Sequence, residues 1–262
     1  MEANRIHLLL GVLLLAVGGC NVDLGDKIGG SEETRNLSGF TGVNNKSDAD
    51  VELKTDGSGD GLDAGDVLVS CSGDLVATVA TSVNADGYLI IDFAAEVASV
   101  LDCSITVVTE DVTDVVADGD GDIICHDPMT GVRTIEVNGN GSVVLASVEA
   151  DELNILVTGN GSVEIDQVTV DQLNIDLRGT GDASLAGAAG RVDLLISGSG
   201  DLAAKDLVAG YLHALLNGTG SAAITVDGIV DAEVIGDATL DVYGAAETGD
   251  VVETDGGLVN FN

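Results

Sequence analysis

The sequence predicts an all-β protein: a β-helix-like solenoid of short parallel strands in coils of roughly 20 residues, with a less regular, strand-rich N-terminal part. Three observations support this fold class. A Gly-x-Gly motif followed by Ser or Asp recurs at a nearly constant spacing, apolar and polar residues alternate between the motifs, and 36 glycines accompany a single proline. Many glycines with almost no proline favour tight turns between strands over collagen or a disordered linker.

The glycine motif sets the repeat. Its first glycines are Gly139, Gly159, Gly179, Gly198 and Gly218, with an earlier copy at Gly119 and a degenerate one at Gly236. A fixed period of this kind is typical of coils that stack and share one core, and we expect about ten coils between Arg35 and Ala245. We expect one glycine of each motif to take a positive φ and the other to let stacked corners approach closely. The Asn, Thr and Ser side chains between them should form ladders along the stack.

The apolar pattern between the motifs indicates strands. Val143 and Leu145 follow one motif, and Leu153 and Ile155 come later in the same copy with the polar Asn154 between them. Each copy repeats this alternation. A period of two predicts short strands with one buried face, and equal periods predict parallel pairing with the coils on either side at about 4.8 Å.

The first residues have the features of an export signal. Arg5 precedes an apolar run from Ile6 to Val17, and Gly18 and Gly19 lead to Cys20. This run is shorter than the roughly 20 residues that span a bilayer. Small residues directly before a cysteine resemble a bacterial lipobox, which implies cleavage before Cys20 and diacylation of its sulfur. The alternative is an ordinary signal peptide with an incidental cysteine.

The domain organisation follows from these segments. We expect a lipoprotein signal peptide at 1–19, a flexible tether at 20–33 and a single solenoid domain at 34–262. Within it, 34–116 would form irregular coils, 117–245 the regular repeats and 246–262 a C-terminal cap or tail. Two acyl chains on Cys20 would attach the exported domain stably to a membrane. Because Asn21 rather than Asp follows Cys20, we expect the outer membrane or the cell surface.

The formal net charge of −36 excludes some partners. Nucleic acids and anionic lipid surfaces bind clustered Lys and Arg, whereas the nine basic residues of this chain are scattered singly. The acidity therefore indicates solubility in saline surroundings and argues against a nucleic-acid partner.

The three later cysteines permit a disulfide in an exported protein. Cys103 and Cys125 lie 22 residues apart, close to one coil, so we expect them to pair between neighbouring coils, with Cys71 as a competing partner.

One acidic segment is a candidate cation site. Asp118, Asp120 and Asp122 offer the oxygen ligands that calcium prefers. However, Ile123 and Met129 stand where a calcium loop requires Gly and Glu. The alternative is a solvated turn, and no other cofactor is predicted.

A family resemblance rests on an ordered set of segments. These are Arg35-Asn-Leu-Ser-Gly-Phe40, Gly87-Tyr-Leu-Ile-Ile91, the strand Ile105 to Val108 and then the series of glycine motifs. Their order resembles the bacterial family described as "putative auto-transporter adhesin, head GIN domain", over nearly all of the chain after the signal. The resemblance implies export, frequent lipidation and a β-helix-like fold, and it brings no catalytic residues.

Two function classes remain open. The first is a non-catalytic binding or adhesion module for an unknown envelope or extracellular ligand, and the second is a passive structural surface lipoprotein. A polysaccharide-acting β-helix enzyme is a remote alternative. The repeats carry only Arg133, Arg178, Arg191 and Lys205 as basic residues, and no nucleophile motif accompanies them. We therefore expect no enzymatic activity.

Overall fold

Strands occupy most of the chain and stack as the coils of a solenoid of about 7 turns. The computed structural model describes residues 30–55, 61–93, 103–110 and 112–262. The first ten strands are β1 (Gly30–Asn36), β2 (Gly42–Asn45), β3 (Asp50–Lys54), β4 (Asp66–Ser72), β5 (Val79–Val83), β6 (Tyr88–Phe93), β7 (Cys103–Val108), β8 (Asp114–Ala117), β9 (Ile123–Thr130) and β10 (Thr134–Val137). The remaining strands are β11 (Val143–Val157), β12 (Val163–Leu177), β13 (Ala183–Ile196), β14 (Leu202–Gly218), β15 (Ser221–Gly236), β16 (Thr239–Tyr243), β17 (Glu247–Thr254) and β18 (Leu258–Phe261). A short 3-10 helix covers Val76–Thr78.

Each regular coil has three sides. In β12 the alternation of buried and exposed residues is interrupted at Asp166-Gln167 and again at Asp171-Gln172, so the strand turns two corners before the glycine motif makes the third. The segments 163–165, 168–170 and 172–177 pair in parallel with their counterparts in β11 and β13. We call the stacks that these three segments belong to sheet 1, sheet 2 and sheet 3.

The core lies inside this triangle and is aliphatic. Leu145 and Ile165 stack in sheet 1, and Leu153 and Leu173 stack in sheet 3; all four are almost completely buried. Removing such side chains from water is the main favourable contribution to folding. The predicted solenoid, its 20-residue coils and its parallel strands are confirmed.

The glycine corners differ from the expectation in one respect. A Cβ on Gly139 would lie 1.9 Å from the carbonyl oxygen of Gly119, and one on Gly141 would lie 2.3 Å from that of Gly121. Both glycines therefore allow neighbouring coils to approach closely, because each faces a backbone carbonyl group of the preceding coil. The expected positive φ at one glycine of each motif is wrong for most copies; among the first glycines from Gly139 to Gly218, only Gly218 has one.

The N-terminal part contains antiparallel strands that the repeat did not predict. β4 pairs antiparallel with β7, β1 pairs antiparallel with β4, and β5 pairs antiparallel with β6. These strands extend the end of the solenoid without adding coils, so the predicted ten coils are reduced to about 7. β1 begins at Gly30, inside the segment 20–33 predicted as a tether. No helix in the described part of the chain has the length and apolar character needed to cross a bilayer.

Candidate functional site

The outer face of sheet 3 carries a groove of about 510 Å³. Five consecutive coils, from β10 to β14, contribute residues to it, because each strand of sheet 3 directs every second residue away from the core. Its lining residues include Asn154, Leu156, Asn174, Asp176, Arg178, Asp193, Leu195, His213 and Leu215. The groove thus combines aliphatic, amide and charged side chains on one face.

Leucines dominate one outward-facing column of the groove. In register across the coils this column runs Glu136, Leu156, Asp176, Leu195, Leu215 and Glu233. Its three leucines are half-buried although they point away from the core. Leu195 and Leu215 are neighbours in this column, whereas Asp176 separates Leu195 from Leu156. Apolar side chains grouped on an outer face mark interaction sites more often than scattered single residues do. We call Leu156, Leu195 and Leu215 the leucine strip.

A polar column runs beside the leucine strip. Asn174 Nδ2 donates hydrogen bonds to Asn154 Oδ1 at 2.8 Å and to Glu152 Oε1 at 3.0 Å. Two coils further on, His213 Nδ1 lies 3.5 Å from Asp193 Oδ1. The amides are held by neighbours in adjacent coils, so this column presents ordered hydrogen-bonding groups at the edge of the strip.

The guanidinium groups of Arg178, in the groove, and of Arg191, beside it, are each paired with a carboxylate. Arg178 Nε donates to Asp176 Oδ2 at 2.9 Å, and Arg191 Nε donates to Asp193 Oδ2 at 2.6 Å. The hydrogen bond from Arg191 holds the pKa of Asp193 below its usual value. Because each of these cations already has a carboxylate partner, the groove is not built to capture an anion.

An aromatic contact borders the groove. The Arg191 guanidinium lies 4.5 Å from the centroid of the Tyr211 ring, a cation–π geometry. The Tyr211 hydroxyl donates to Asp231 Oδ2. This bond raises the pKa of Tyr211 and lowers the pKa of Asp231. The Arg191 guanidinium, the Tyr211 ring and the Asp231 carboxylate therefore lie on three successive coils.

A second, larger groove of about 930 Å³ lies at the corner between sheets 2 and 3. Its walls carry Glu149, Asp151, Glu152 and Asp171, with Arg133 as a basic residue, and its floor includes Gly190. Gly190 begins a second glycine column with Gly210 and Gly228, where a Cβ on Gly228 would lie 1.8 Å from Gly210 O. This column was not predicted, although its spacing of 20 and 18 residues is visible in the sequence.

The predicted pairing of Cys103 with Cys125 is wrong, because the disulfide joins Cys71 to Cys103. These two residues face each other in the antiparallel pair β4–β7, with a Cα–Cα distance of 4.1 Å. β3 lies between β7 and β9, so Cys103 and Cys125 are not in adjacent strands. Cys125 is a buried free thiol, and its burial raises its pKa to about 11.

The candidate cation ligands are not assembled into a site. Asn138 Nδ2 donates to Asp118 Oδ1 at 2.8 Å, and Asn140 Nδ2 donates to Asp120 Oδ1 at 2.6 Å. Asp122 accepts the backbone N–H of Ser142 at 2.7 Å. Among the residues that the structure describes, no group of three or more His, Cys, Asp or Glu side chains is placed to hold a metal ion.

These aspartates instead begin the polar ladders that the sequence predicts. Asn160 Nδ2 donates to Asn140 Oδ1 at 2.8 Å, and Thr180 Oγ1 donates to Asn160 Oδ1 at 2.6 Å. Each step spans one coil, so the ladder fastens neighbouring glycine corners to one another. The predicted lipidation site, Cys20, and the signal peptide 1–19 lie outside the described residues.

The chain belongs to the family described as "Putative auto-transporter adhesin, head GIN domain", whose sequence profile matches residues 39–246. It is similar in structure to a "putative adhesin" from Parabacteroides merdae, with a TM-score of 0.80, 19% identity and coverage of 90% of this chain and 97% of that one. A "putative lipid binding protein" from Parabacteroides distasonis gives a TM-score of 0.76 at 19% identity, covering 89% and 97%. A "putative adhesin" from the same species gives 0.78 at 20% identity, also covering 89% and 97%. No protein of curated function matches the sequence.

Proposed function

We propose that this chain is a cell-envelope lipoprotein that binds an envelope or extracellular ligand without catalysis, with the outer face of sheet 3 as its binding surface. The observation that carries the proposal is the leucine strip, because it places half-buried apolar side chains on the outside of a chain with a net charge of −36. Membership of a family described as adhesins is consistent with such a role.

The chemistry of the groove favours a neutral, amphipathic ligand. Leu195 and Leu215 offer contact to an apolar surface, and Asn154 and Asn174 offer hydrogen-bonding groups beside them. The arginines already hold carboxylates, so an anionic ligand would have to compete with Asp176 and Asp193. A neutral glycan with an apolar face and a neutral lipid both match this surface.

The same geometry argues against catalysis in the groove. A general acid at neutral pH needs a carboxyl group with a raised pKa, whereas Arg191 lowers the pKa of Asp193. The carboxylate of Asp176 is bound by Arg178 at 2.9 Å. Both carboxylates are held in ion pairs with arginine.

Anchoring at Cys20 completes the proposal. A diacylated Cys20 would hold the solenoid at the membrane through two acyl chains, with the segment before Gly30 as the connection. Mass spectrometry of the protein from its native membrane tests this: a diacylglyceryl mass on an N-terminal Cys20 is expected, and an unmodified Cys20 contradicts it.

The binding test uses the full chain with Cys20→Ser, which prevents acylation. We expect saturable binding to a neutral glycan array or to phosphatidylcholine vesicles. The double variant Leu195→Glu, Leu215→Glu should weaken binding by more than tenfold, since burying one leucine contributes about 1.5 to 3 kcal/mol. Val208→Glu is the matched control, because Val208 is an exposed apolar residue in sheet 2, outside the groove.

The outcomes separate the two function classes. Loss of binding in the leucine variant, with Val208→Glu unaffected and both variants folded, supports the groove. Absence of binding to both probes, or equal binding by both variants, contradicts the proposal and favours a passive structural rod.

A further inference from the structure

The two ends of the solenoid are formed by different strand pairings. At the N-terminal end, the antiparallel strands β4 and β5 cover β7 and β6. At the C-terminal end, β17 pairs with β15 and β18 pairs with β16. In the described ranges no further strand pairs with β17 or β18, so each has an open edge that could take another strand.

Of these two edges, that of β17 is protected by a register shift and by charged side chains. Its pairing with β15 is shifted between Thr248 and Val251, and it carries Glu247, Asp250 and Glu253. Bulges and charges are the usual means by which proteins prevent strand addition. β18 has the sequence Leu-Val-Asn-Phe with no charge and no proline, and its register with β16 is continuous.

The β18 edge is also apolar. Leu258 is 53% exposed and Phe261 is 45% exposed. Phe261 is in register with Val242, which is 1% exposed. Phe261 is therefore the last residue of a column of core side chains, and it is itself exposed to solvent. A strand added to β18 would cover this ring and extend the core by one layer.

One backbone N–H of β18 that points away from β16 donates a hydrogen bond to a side chain. Leu258 N–H and Asn262 N–H donate inward to Ala238 O and Val242 O at 3.1 and 2.8 Å. Val259 N–H, between them, donates instead to Glu253 Oε1 at 2.6 Å. Glu253 therefore takes the place of a partner strand's carbonyl at the edge.

Charge indicates the kind of partner. No Lys or Arg follows Lys205 in the sequence. The final coil carries Asp237, Asp241, Glu247, Asp250, Glu253 and Asp255. Charges within about 8 Å interact at physiological ionic strength. A second copy of this end would bring equally acidic surface to the contact, whereas a basic segment would be attracted.

We propose that β18 is a strand-addition site for an extended basic segment of a partner protein. The segment pairs with the β18 backbone, places apolar side chains over Phe261 and Leu258, and aligns Lys or Arg with the surrounding carboxylates. Its backbone carbonyl replaces Glu253 as the acceptor for Val259 N–H. This is recognition by β-augmentation, and the site is separate from the groove on sheet 3.

The test measures the anisotropy of a labelled peptide, Lys-Val-Lys-Val-Thr-Val-Lys, with the full chain carrying Cys20→Ser. Glu253→Ala removes the competing acceptor and should tighten binding about fivefold, the effect of one net hydrogen bond. Glu253→Gln keeps an acceptor but removes the charge, so it should bind no tighter than the parent. A purely electrostatic effect would weaken binding in both variants equally and would overturn the proposal.

Two further measurements locate the site and identify the occupant. Hydrogen exchange of residues 258–262 should slow when the peptide binds, and protection confined to other strands would overturn the proposal. A peptide with Glu in place of Lys should bind at least tenfold more weakly. Failure of the basic peptide to bind both the parent and Glu253→Ala, or peptide-free dimerisation of Glu253→Ala in sedimentation velocity, would also overturn it.

Discussion

A Cβ atom on Gly159 would lie 2.0 Å from the carbonyl oxygen of Gly139 in the coil before it. No Cβ approaches a backbone oxygen so closely, so the stacking distance at this corner requires glycine. The corner backbone is also bonded between coils, because Gly161 N–H donates to Gly139 O at 3.2 Å. The corner therefore helps to fix the rise of the solenoid, together with the strands.

Gly159→Ala should destabilise the protein by about 3 kcal/mol or more, since the blocked contact is with backbone that pairs on both sides. Gly131→Ala is the control: Gly131 has a φ of +86° but open space around its Cβ position, so it should cost only about 1 to 2 kcal/mol. Urea unfolding of both variants measures the difference. If Gly159→Ala costs no more than Gly131→Ala, steric stacking is not the reason for the motif.

The Cys71–Cys103 bridge should contribute substantially to stability. It closes a separation of 32 residues, and a loop of that size contributes about 3 to 4 kcal/mol by restricting the unfolded chain. The variant Cys71→Ser, Cys103→Ser should lose this amount in urea unfolding, and reduction of the parent should have the same effect. Non-reducing digestion should yield linked peptides containing Cys71 and Cys103, and a link to Cys125 would contradict the structure.

The regular repeats could be predicted because the glycine motifs, the apolar pairs and the polar ladder residues all recur with the same period. Gly159, Leu173 and Ile175 each repeat the residue one coil earlier in an equivalent environment, and the polar ladder through Asn160 follows from the same register. The N-terminal part lacks such a register. Nothing in the spacing of Cys71 and Cys103 shows that β4 runs antiparallel to β7, so the disulfide could not be assigned from sequence.

The groove on sheet 3 was not predicted, although the sequence contains a pattern that indicates it. Leu156 and Leu195 each follow an inward-facing residue and precede another, so each forms a run of three apolar residues where alternation requires a polar one. As strand signals, these runs predict the two buried residues but not a role for the outward-facing leucine between them. Whether the outward-facing leucine lines a concave surface depends on the bend of sheet 3, which the sequence pattern does not determine.

The buried thiol of Cys125 should make stability fall in alkaline solution. Burial raises its pKa from 9.0 to about 11. The unfolded chain thus loses this proton near pH 9, while the folded chain keeps it until about pH 11. The stabilising contribution is fully present below pH 9 and is lost as pH rises through about 11, a change of about 2 to 3 kcal/mol.

Urea unfolding between pH 8 and 11 of the parent and of Cys125→Ala measures this contribution. The alanine variant is expected to show a constant loss from the smaller side chain but a shallower decline above pH 9. Tyrosine ionisation is common to both proteins and cancels in the difference. Parallel pH profiles would show that Cys125 does not titrate with folding.

The Tyr211 hydroxyl should control the ionisation of Asp231. Its hydrogen bond is the largest cause of the lowered pKa of Asp231, and the backbone N–H of Asp250, at 2.8 Å, is the second. Tyr211→Phe keeps the ring beneath Arg191 but removes the donor, so the pKa of Asp231 should rise towards its ordinary value without reaching it. NMR titration of the carboxyl carbons measures the shift. Tyr243→Phe is the matched control, because Tyr243 supports Lys205 at 4.1 Å; an equal shift in both variants, or none in Tyr211→Phe, would refute the assigned role.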